Sequence, residues 1–241
     1  MDLSLLPAPL KGRMAQRYKD FLSTCGLRDE GDADVIALMT DDDFNIVATG
    51  ARAGHTLKQF AVDPSIEGTG AMAQIMTALV REAYESGNTR LFLCTKPKNL
   101  KMLSSLGFSK LVAVEDAVLM ENRKNGLEKF LARIRQDAEA NRADLETIKC
   151  GAVVCNCDPF TLGHRHLIEY ASRHCDYLYV FAVSESGSMF TPEDRLEMIK
   201  QGTADIENCH VYSSELYLVS RATFPAYFIR DEEHADRKSV V

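Results

Sequence analysis

The sequence predicts an α/β protein of two domains, an α+β domain followed by one built on a parallel sheet. Three observations predict it. From Gly151 onward, short apolar runs alternate with helical periodicities, the pattern of strand–helix–strand units. Before Glu121, several strand-like runs lead into the loop Gly68-Thr69-Gly70 and an amphipathic helix. Between these halves, Glu121 to Thr147 is dense in charge and sets Leu127, Phe130, Leu131 and Ile134 on one helical face, which marks a connector. The expected division is residues 1–122, a helical connector over 123–148, and a second domain over 149–241.

In chain order, Gly12 to Cys25 carries Met14, Tyr18, Phe21 and Leu22 at the spacing of an amphipathic helix. Val35-Ile36-Ala37-Leu38-Met39 reads as a buried strand, and Asn45 to Gly50 returns after the polar turn Thr40 to Asp43. Leu57 to Val62 is a third strand. It runs through Asp63-Pro64-Ser65-Ile66-Glu67 into the glycine loop, and then into a helix marked by Met72, Ile75, Met76, Leu79, Val80 and Tyr84. Arg90 to Thr95 is a strand, Asn99 to Leu106 a short helix stopped by Gly107, and Phe108 to Met120 mostly strand. In the second half, Gly151 to Cys155 is a strand, Asn156 to Thr161 a loop and Gly163 to His174 a helix. Tyr177 to Ser184 is the next strand, Pro192 to Gly202 the next helix, and Val211-Tyr212 begins another strand.

Composition excludes several classes. Of 241 residues 46% are apolar and 26% charged, too hydrophobic for a disordered chain. The net charge of −7 argues against general nucleic-acid binding, which draws on Lys and Arg to neutralise phosphates. No apolar run approaches the ~18–20 residues of a membrane span. The first ten residues lack a basic segment and contain Pro7 and Pro9, so they do not read as a signal peptide. The seven cysteines are an odd number, and Cys155-Asn156-Cys157 has no second pair at zinc-site spacing. They read as structural thiols, with no metal site expected, and reduced thiols fit a cytoplasmic protein.

Two constellations carry chemistry. In the first, Gly68 and Gly70 allow backbone N–H groups at a helix N-terminus to approach a phosphate; the bland alternative is a tight turn. With Val62-Asp63-Pro64 before the loop and Leu106-Gly107-Phe108 after the short helix, residues 10–120 resemble the GNAT acetyltransferase fold. That resemblance implies a grip on the pyrophosphate of coenzyme A, with Val62, Gly68, Thr69, Gly70 and Ala71 as the candidate residues. The sequence departs from the family at Ser65, where Gln or Arg is usual, and at Leu103, where many members have the tyrosine that protonates the departing thiolate. The resemblance therefore implies binding of a CoA-like arm rather than acyl transfer from it.

In the second, Asp158-Pro159-Phe160-Thr161-Leu162-Gly163-His164 follows a buried strand and opens a helix, an arrangement similar to the H/T-x-G-H nucleotidylyltransferases. The loop and helix N-terminus would hold ATP phosphates, Gly163 would let the chain lie against the nucleotide, and His164 would donate to charge developing at the α-phosphate. The Thr161 hydroxyl stands where the first His of the motif stands elsewhere, as a neutral donor. Asn156, Cys157, Asp158, Pro159 and Phe160 complete the candidate ATP loop. Arg195, in the first turn of the helix opened by Pro192, is either a phosphate ligand or a solvated side chain. His166 and His174 read as structural or surface residues.

The two halves in this order resemble the [citrate (pro-3S)-lyase] ligase family. The segments that carry the resemblance are Asn156 to Arg165, Glu193-Asp194-Arg195-Leu196, Gly202-Thr203-Ala204-Asp205 and, most distinctively, Ser220-Arg221-Ala222-Thr223-Phe224-Pro225-Ala226-Tyr227-Phe228, with Leu119-Met120-Glu121-Asn122 closing the first half. The resemblance implies that acetate attacks the α-phosphate of ATP with Mg²⁺ present, giving acetyl-adenylate and pyrophosphate. The thiol of the CoA-derived prosthetic group on the citrate lyase acyl carrier protein then takes the acetyl group, and AMP leaves. No Ile-Ser-x-Ser-x-x-Arg segment, which in the family closes over the phosphates, follows Phe228, so the second domain is expected to be truncated. Three alternatives stay open: a GNAT N-acetyltransferase, a nucleotide-cofactor adenylyltransferase, and an inactive binding remnant.

Overall fold

The computed structural model describes residues 1–142, 144–184 and 189–218. They divide into two units, Met1–Lys124 and, among the described residues, 125–218. In the first unit the apolar runs pair into one seven-stranded sheet, ordered β1-β2-β3-β4-β5-β7-β6. Its strands are β1 (Asp2–Pro7), β2 (Val35–Thr40), β3 (Ile46–Ala53), β4 (Thr56–Val62), β5 (Phe92–Thr95), β6 (Ser109–Ala113) and β7 (Val118–Glu121). All neighbours are antiparallel except β4 and β5. A parallel pair needs a crossover, and helix α2 (Ala71–Glu85) supplies it.

Helix α1 (Gly12–Thr24) buries Tyr18 and Leu22 on Ile36, Leu38 and Ile46. On the other face, α2 packs Ile75, Met76 and Leu79 with Ala37, Met39, Leu57, Leu93 and Met120, beside Leu103 of α3 (Leu100–Ser105). Strand β2 is thus covered on both faces, which is why its sequence is a continuous apolar run and not an alternation. The pairing of β3 with β4 shifts between Thr49 and Ala51, and Gln59 opposite takes φ +56°. This is a β-bulge, and it is tied down: Tyr18 donates to Gln59 Oε1 at 2.9 Å and Gln59 Nε2 donates to the Arg28 carbonyl at 2.8 Å. Nearby, buried Arg52 forms a two-bond fork on Glu82 at 2.6 and 2.8 Å and also reaches Asp34, while buried Lys58 holds Glu30 and Asp32. The Arg52 guanidinium holds the Glu82 carboxyl below the usual carboxylate range.

In the second unit, β8 (Cys150–Cys155), β9 (Tyr177–Ala182) and β10 (Cys209–Ser213) form a parallel sheet ordered β10-β9-β8. Helices α5 (Leu162–Ser172) and α6 (Pro192–Gly202) supply Ile168 and Ile199 to a core with Leu178, Val180 and Ala182. The alternate residues Tyr177, Tyr179 and Phe181 lie on the opposite face with His210 and Tyr212; the Tyr177 and His210 rings stack at 4.0 Å. Helix α4 (Gly126–Asn141) lies in this unit.

The elements fall where the apolar pattern places them, with three differences. Strand β1 lies where the sequence reading placed no element; as an edge strand ending at Pro7 it needs no N–H there. The run from Phe108 to Met120 is a hairpin of β6 and β7 turned at Glu115-Asp116, and β7, not β6, lies against β5. On α4 the buried stripe is Phe130, Ile134 and Ala138, whereas Leu131 is 54% exposed, one residue off the face. The distinctive run from Ser220 to Phe228 lies outside the described residues.

Gly50 of β3 faces α2, and a Cβ there would lie 2.6 Å from the Phe60 ring and 2.8 Å from Ile75 Cγ2. Gly50→Ala is therefore expected to overpack this core and cost about 1–3 kcal/mol in urea unfolding. An unchanged midpoint would show that Phe60 moves aside freely.

Candidate functional site

The second-unit loop is built outward from a buried charge. Arg195, on the first turn of α6, is fully buried and donates from Nη1 to the Asn156 carbonyl at 3.2 Å and to the Asn156 side-chain oxygen. The sequence left it either solvated or on a phosphate; the structure puts it beneath the loop. Thr191 caps α6 by accepting from Asp194 N at 3.1 Å, so the turn that carries Arg195 is itself held.

Cys157 comes next, 1% exposed and at φ +51°, with its thiol turned into the core. Its hydrogen bond to Cys155, with burial, pushes that thiol up, and the same bond holds Cys155 down. The Asp158 carboxylate accepts from Met189 N at 2.9 Å and from Phe190 N at 3.0 Å, pinning the segment before α6. Cys157 and Asp158 therefore hold the loop from below, while Asn156, Pro159, Thr161 and Gly163 are exposed. The Asp158-Pro159 peptide is cis. Phe160 lies over Gly202, where a Cβ would come within 2.3 Å of its ring, and stacks on His164 with centroids 6.0 Å apart.

Thr161 is the N-cap of α5 and forms a reciprocal capping box with His164. The Thr161 backbone N–H donates to His164 Nδ1 at 3.1 Å, and the Thr161 hydroxyl is 2.9 Å from the same nitrogen. Among the described residues a Cβ on Gly163 would meet only Thr161 Oγ1, at 3.7 Å, and its φ is ordinary. Neither backbone strain nor packing against the described residues requires a glycine there.

Sequence reasoning missed the brace behind this loop. Arg165 donates to both oxygens of Asp205, at 2.9 and 2.7 Å, to the Gly202 carbonyl at 2.7 Å and to Glu169 at 2.8 Å. It joins the start of α5 to the end of α6, and it holds the Asp205 carboxyl below its usual range. The signal was present in the runs ending at Arg165 and opening at Gly202, but nothing linear showed that the two meet. His174 Nδ1 donates to the Tyr170 carbonyl at 2.7 Å, and His166 is exposed.

Val62 ends β4, Asp63 caps the turn Pro64–Ile66, and Thr69 Oγ1 donates to the Ile66 carbonyl at 2.8 Å. Gly68 and Gly70 take φ +81° and +85°, the left-handed region that suits glycine, and Gly70 is the N-cap of α2 ahead of buried Ala71. No side chain caps α2. Strands β4 and β5 pair at two positions only, Thr56 with Phe92 and Leu57 with Leu93. Leu103 is 3% exposed and belongs to the core. Among the described residues no three His, Cys, Asp or Glu side chains converge to hold a metal ion, and no helix is long and apolar enough to cross a membrane.

Comparison with known proteins follows the same division. The citrate lyase ligase C-terminal domain matches residues 150–240, and the acetyltransferase (GNAT) family matches residues 21–108. The chain is 39% identical over 217 residues to a [citrate [pro-3S]-lyase] ligase of Klebsiella pneumoniae, covering 90% of this chain and 61% of that protein. It is 36% identical over 213 residues to the protein of the same name from Escherichia coli (strain K12), covering 88% and 58%. The chain thus spans about three fifths of the length of the curated relatives it matches. Among solved structures, an acyl-CoA N-acyltransferase from Pseudomonas aeruginosa is similar at 13% identity with a TM-score of 0.43, covering 51% of this chain and 100% of that one.

The close seat of Phe160 on Gly202 makes a direct prediction. Gly202→Ala should displace the Phe160 ring, destabilise the second unit by about 1–3 kcal/mol, and change the ring environment of His164. Thermal unfolding and the His164 side-chain resonances check it; wild-type values in both would mean that the ring is not held there.

Proposed function

We propose that this chain, which carries a citrate lyase ligase C-terminal domain behind a GNAT domain and so belongs with the citrate lyase ligases, takes part in the ATP-dependent acetylation of a carrier-protein thiol. In this reading the second unit catalyses attack of acetate on the α-phosphate of ATP. Pyrophosphate leaves and acetyl-adenylate remains. The thiol of the CoA-derived group on the citrate lyase acyl carrier protein then attacks the acetyl carbon, AMP leaves, and the lyase becomes active. Both substrates and the seven free thiols fit the cytoplasm.

The observation that carries this reading is the exposed edge of the capped helix: Gly163 kept without a side chain where the chain itself leaves room for one, beside a His164 whose ring is held at two points. A glycine that no contact with the described residues requires, at a helix N-terminus, suits close approach of a phosphate. His164 would donate to charge growing on the α-phosphate as the bond to pyrophosphate lengthens. Asn156, held by Arg195, and the backbone from Pro159 to Gly163 would orient the triphosphate. Mg²⁺ is bound chiefly by substrate phosphates in sites of this kind, so it would enter as Mg-ATP and not require a protein cage. The metal would withdraw charge from the departing pyrophosphate.

The first unit would serve the same reaction by holding the carrier's arm. Its open glycine loop at the start of α2 suits a pyrophosphate, and the buried Leu103 offers no acid to a thiolate. The arm would be gripped there without acyl transfer in that unit, and its thiol delivered to the acetyl-adenylate.

Two measurements test the two halves. Acetate-dependent release of pyrophosphate from ATP should fall about 10²-fold or more in His164→Ala, with ATP binding changed little; near-normal turnover of the folded variant would remove His164 from the chemistry. Gly70→Asp puts a carboxylate and a strained φ where a phosphate would lie. It should raise KM for the carrier protein and leave pyrophosphate release unchanged. Normal use of the carrier by that variant would reduce the loop to a turn.

A further inference from the structure

His164 has two ring nitrogens, and the structure distinguishes them. Nδ1 faces the Thr161 backbone N–H at 3.1 Å and the Thr161 hydroxyl at 2.9 Å. A backbone N–H only donates, so the nitrogen opposite it presents a lone pair. In a neutral imidazole the other nitrogen then carries the proton. Among the described residues no protein group bonds Nε2, and the Phe160 ring, seated over Gly202, holds the imidazole by its face.

We propose that Thr161 is a positioning residue: its contacts with Nδ1 fix His164 as the Nε2–H tautomer and leave Nε2–H as the single donor this histidine offers. The consequence for Thr161 itself is specific. A hydroxyl has one proton. Pointed at Nδ1, that proton cannot also be given to a phosphate, so the neutral-donor role expected from the motif is replaced by control of the neighbouring ring. The hydroxyl oxygen keeps its lone pairs for the helix cap. The identity of the group that Nε2–H meets rests on the ATP reading above; the tautomer does not.

The first test therefore uses no nucleotide. In the ¹⁵N-labelled chain at neutral pH, long-range proton–nitrogen spectra should show His164 Nδ1 as a pyridine-type nitrogen and Nε2 as a pyrrole-type one, more completely than in the exposed His166 of the same sample. Thr161→Val keeps the backbone N–H and removes only the hydroxyl's contact, so it should move His164 part of the way toward the mixture shown by His166, and Thr161→Ser should restore the wild-type pattern. A proton found on Nδ1 overturns the proposal, and so does a folded valine variant with an unchanged tautomer, because the hydroxyl then adds nothing to the backbone contact.

The second test reads the chemistry. His164→Gln places an amide nitrogen near the Nε2 position and His164→Asn near the Nδ1 position. Acetate-dependent pyrophosphate release should stay within about tenfold of wild type for Gln and fall with Ala, about 10²-fold, for Asn. The reverse order overturns the assignment of the donating nitrogen. If Ala, Asn and Gln all turn over normally, it is the ATP reading of the site that fails, and the nucleotide-free spectra still decide the tautomer.

Discussion

The buried guanidinium of Arg195 is the constraint on which the second unit is organised. A charge removed from water costs several kcal/mol unless it is met by well-placed acceptors. Its acceptors include the carbonyl and side chain of Asn156, at the point where the chain leaves β8. That requirement brings the first turn of α6 against the loop that follows a strand almost forty residues earlier. Once the turn is there, the Met189 and Phe190 amides fall to the Asp158 carboxylate, and Phe160 closes on Gly202. The Arg165–Asp205 fork then fixes α5 to the far end of α6. The exposed edge from Thr161 to His164 inherits its rigidity from these interactions.

The glycines separate into kinds by what requires them. Gly50 and Gly202 are needed because an aromatic ring occupies the place of a side chain, and Gly151 because the Cys175 sulfur lies 2.9 Å from where a Cβ would be. Gly68 and Gly70 are needed because the backbone turns left-handed. Gly163 answers to neither reason. A folding requirement is met inside the chain, whereas a binding requirement leaves space that the chain does not fill, and Gly163 has that second character.

The first unit, which matches the GNAT family over residues 21–108, keeps that fold's geometry and, in the reading proposed above, holds a group without transferring it. The bulge at Gln59 is held from two sides, the parallel pair β4–β5 is brief, and the glycine loop stands open at the head of α2, yet Leu103 is packed into the core. Binding and catalysis depend on different atoms: backbone amides and space for the former, a titratable side chain for the latter. A leucine at position 103 bears only on the latter, so the proposed holding role asks nothing of it.

The sequence by itself determined most elements of both units, because apolar periodicity is local: the VIALM run, the stripe of α2 and the alternation of the second half each express a face to be buried. It also determined local features of both loops, since Gly68 and Gly70 are set by backbone conformation and His164 by helix capping within a few positions. It left β1 unassigned, because whether a segment ending at Pro7 can pair depends on its lying at a sheet edge, and it set Leu131 on a face that a single residue of helical phase excludes. What only the tertiary structure decided is what each loop residue does. Arg195 as a buried anchor, Asp158 as a clamp on backbone amides, and Arg165 with Asp205 as a brace all join residues thirty to forty positions apart. Thr161 as the keeper of His164 is a local contact, but its meaning depends on a ring angle that Phe160 and Gly202 set from across the unit. Periodicity carries no record of which distant groups meet, since a side chain's role follows from the atoms around it and those are assembled only when the chain has folded.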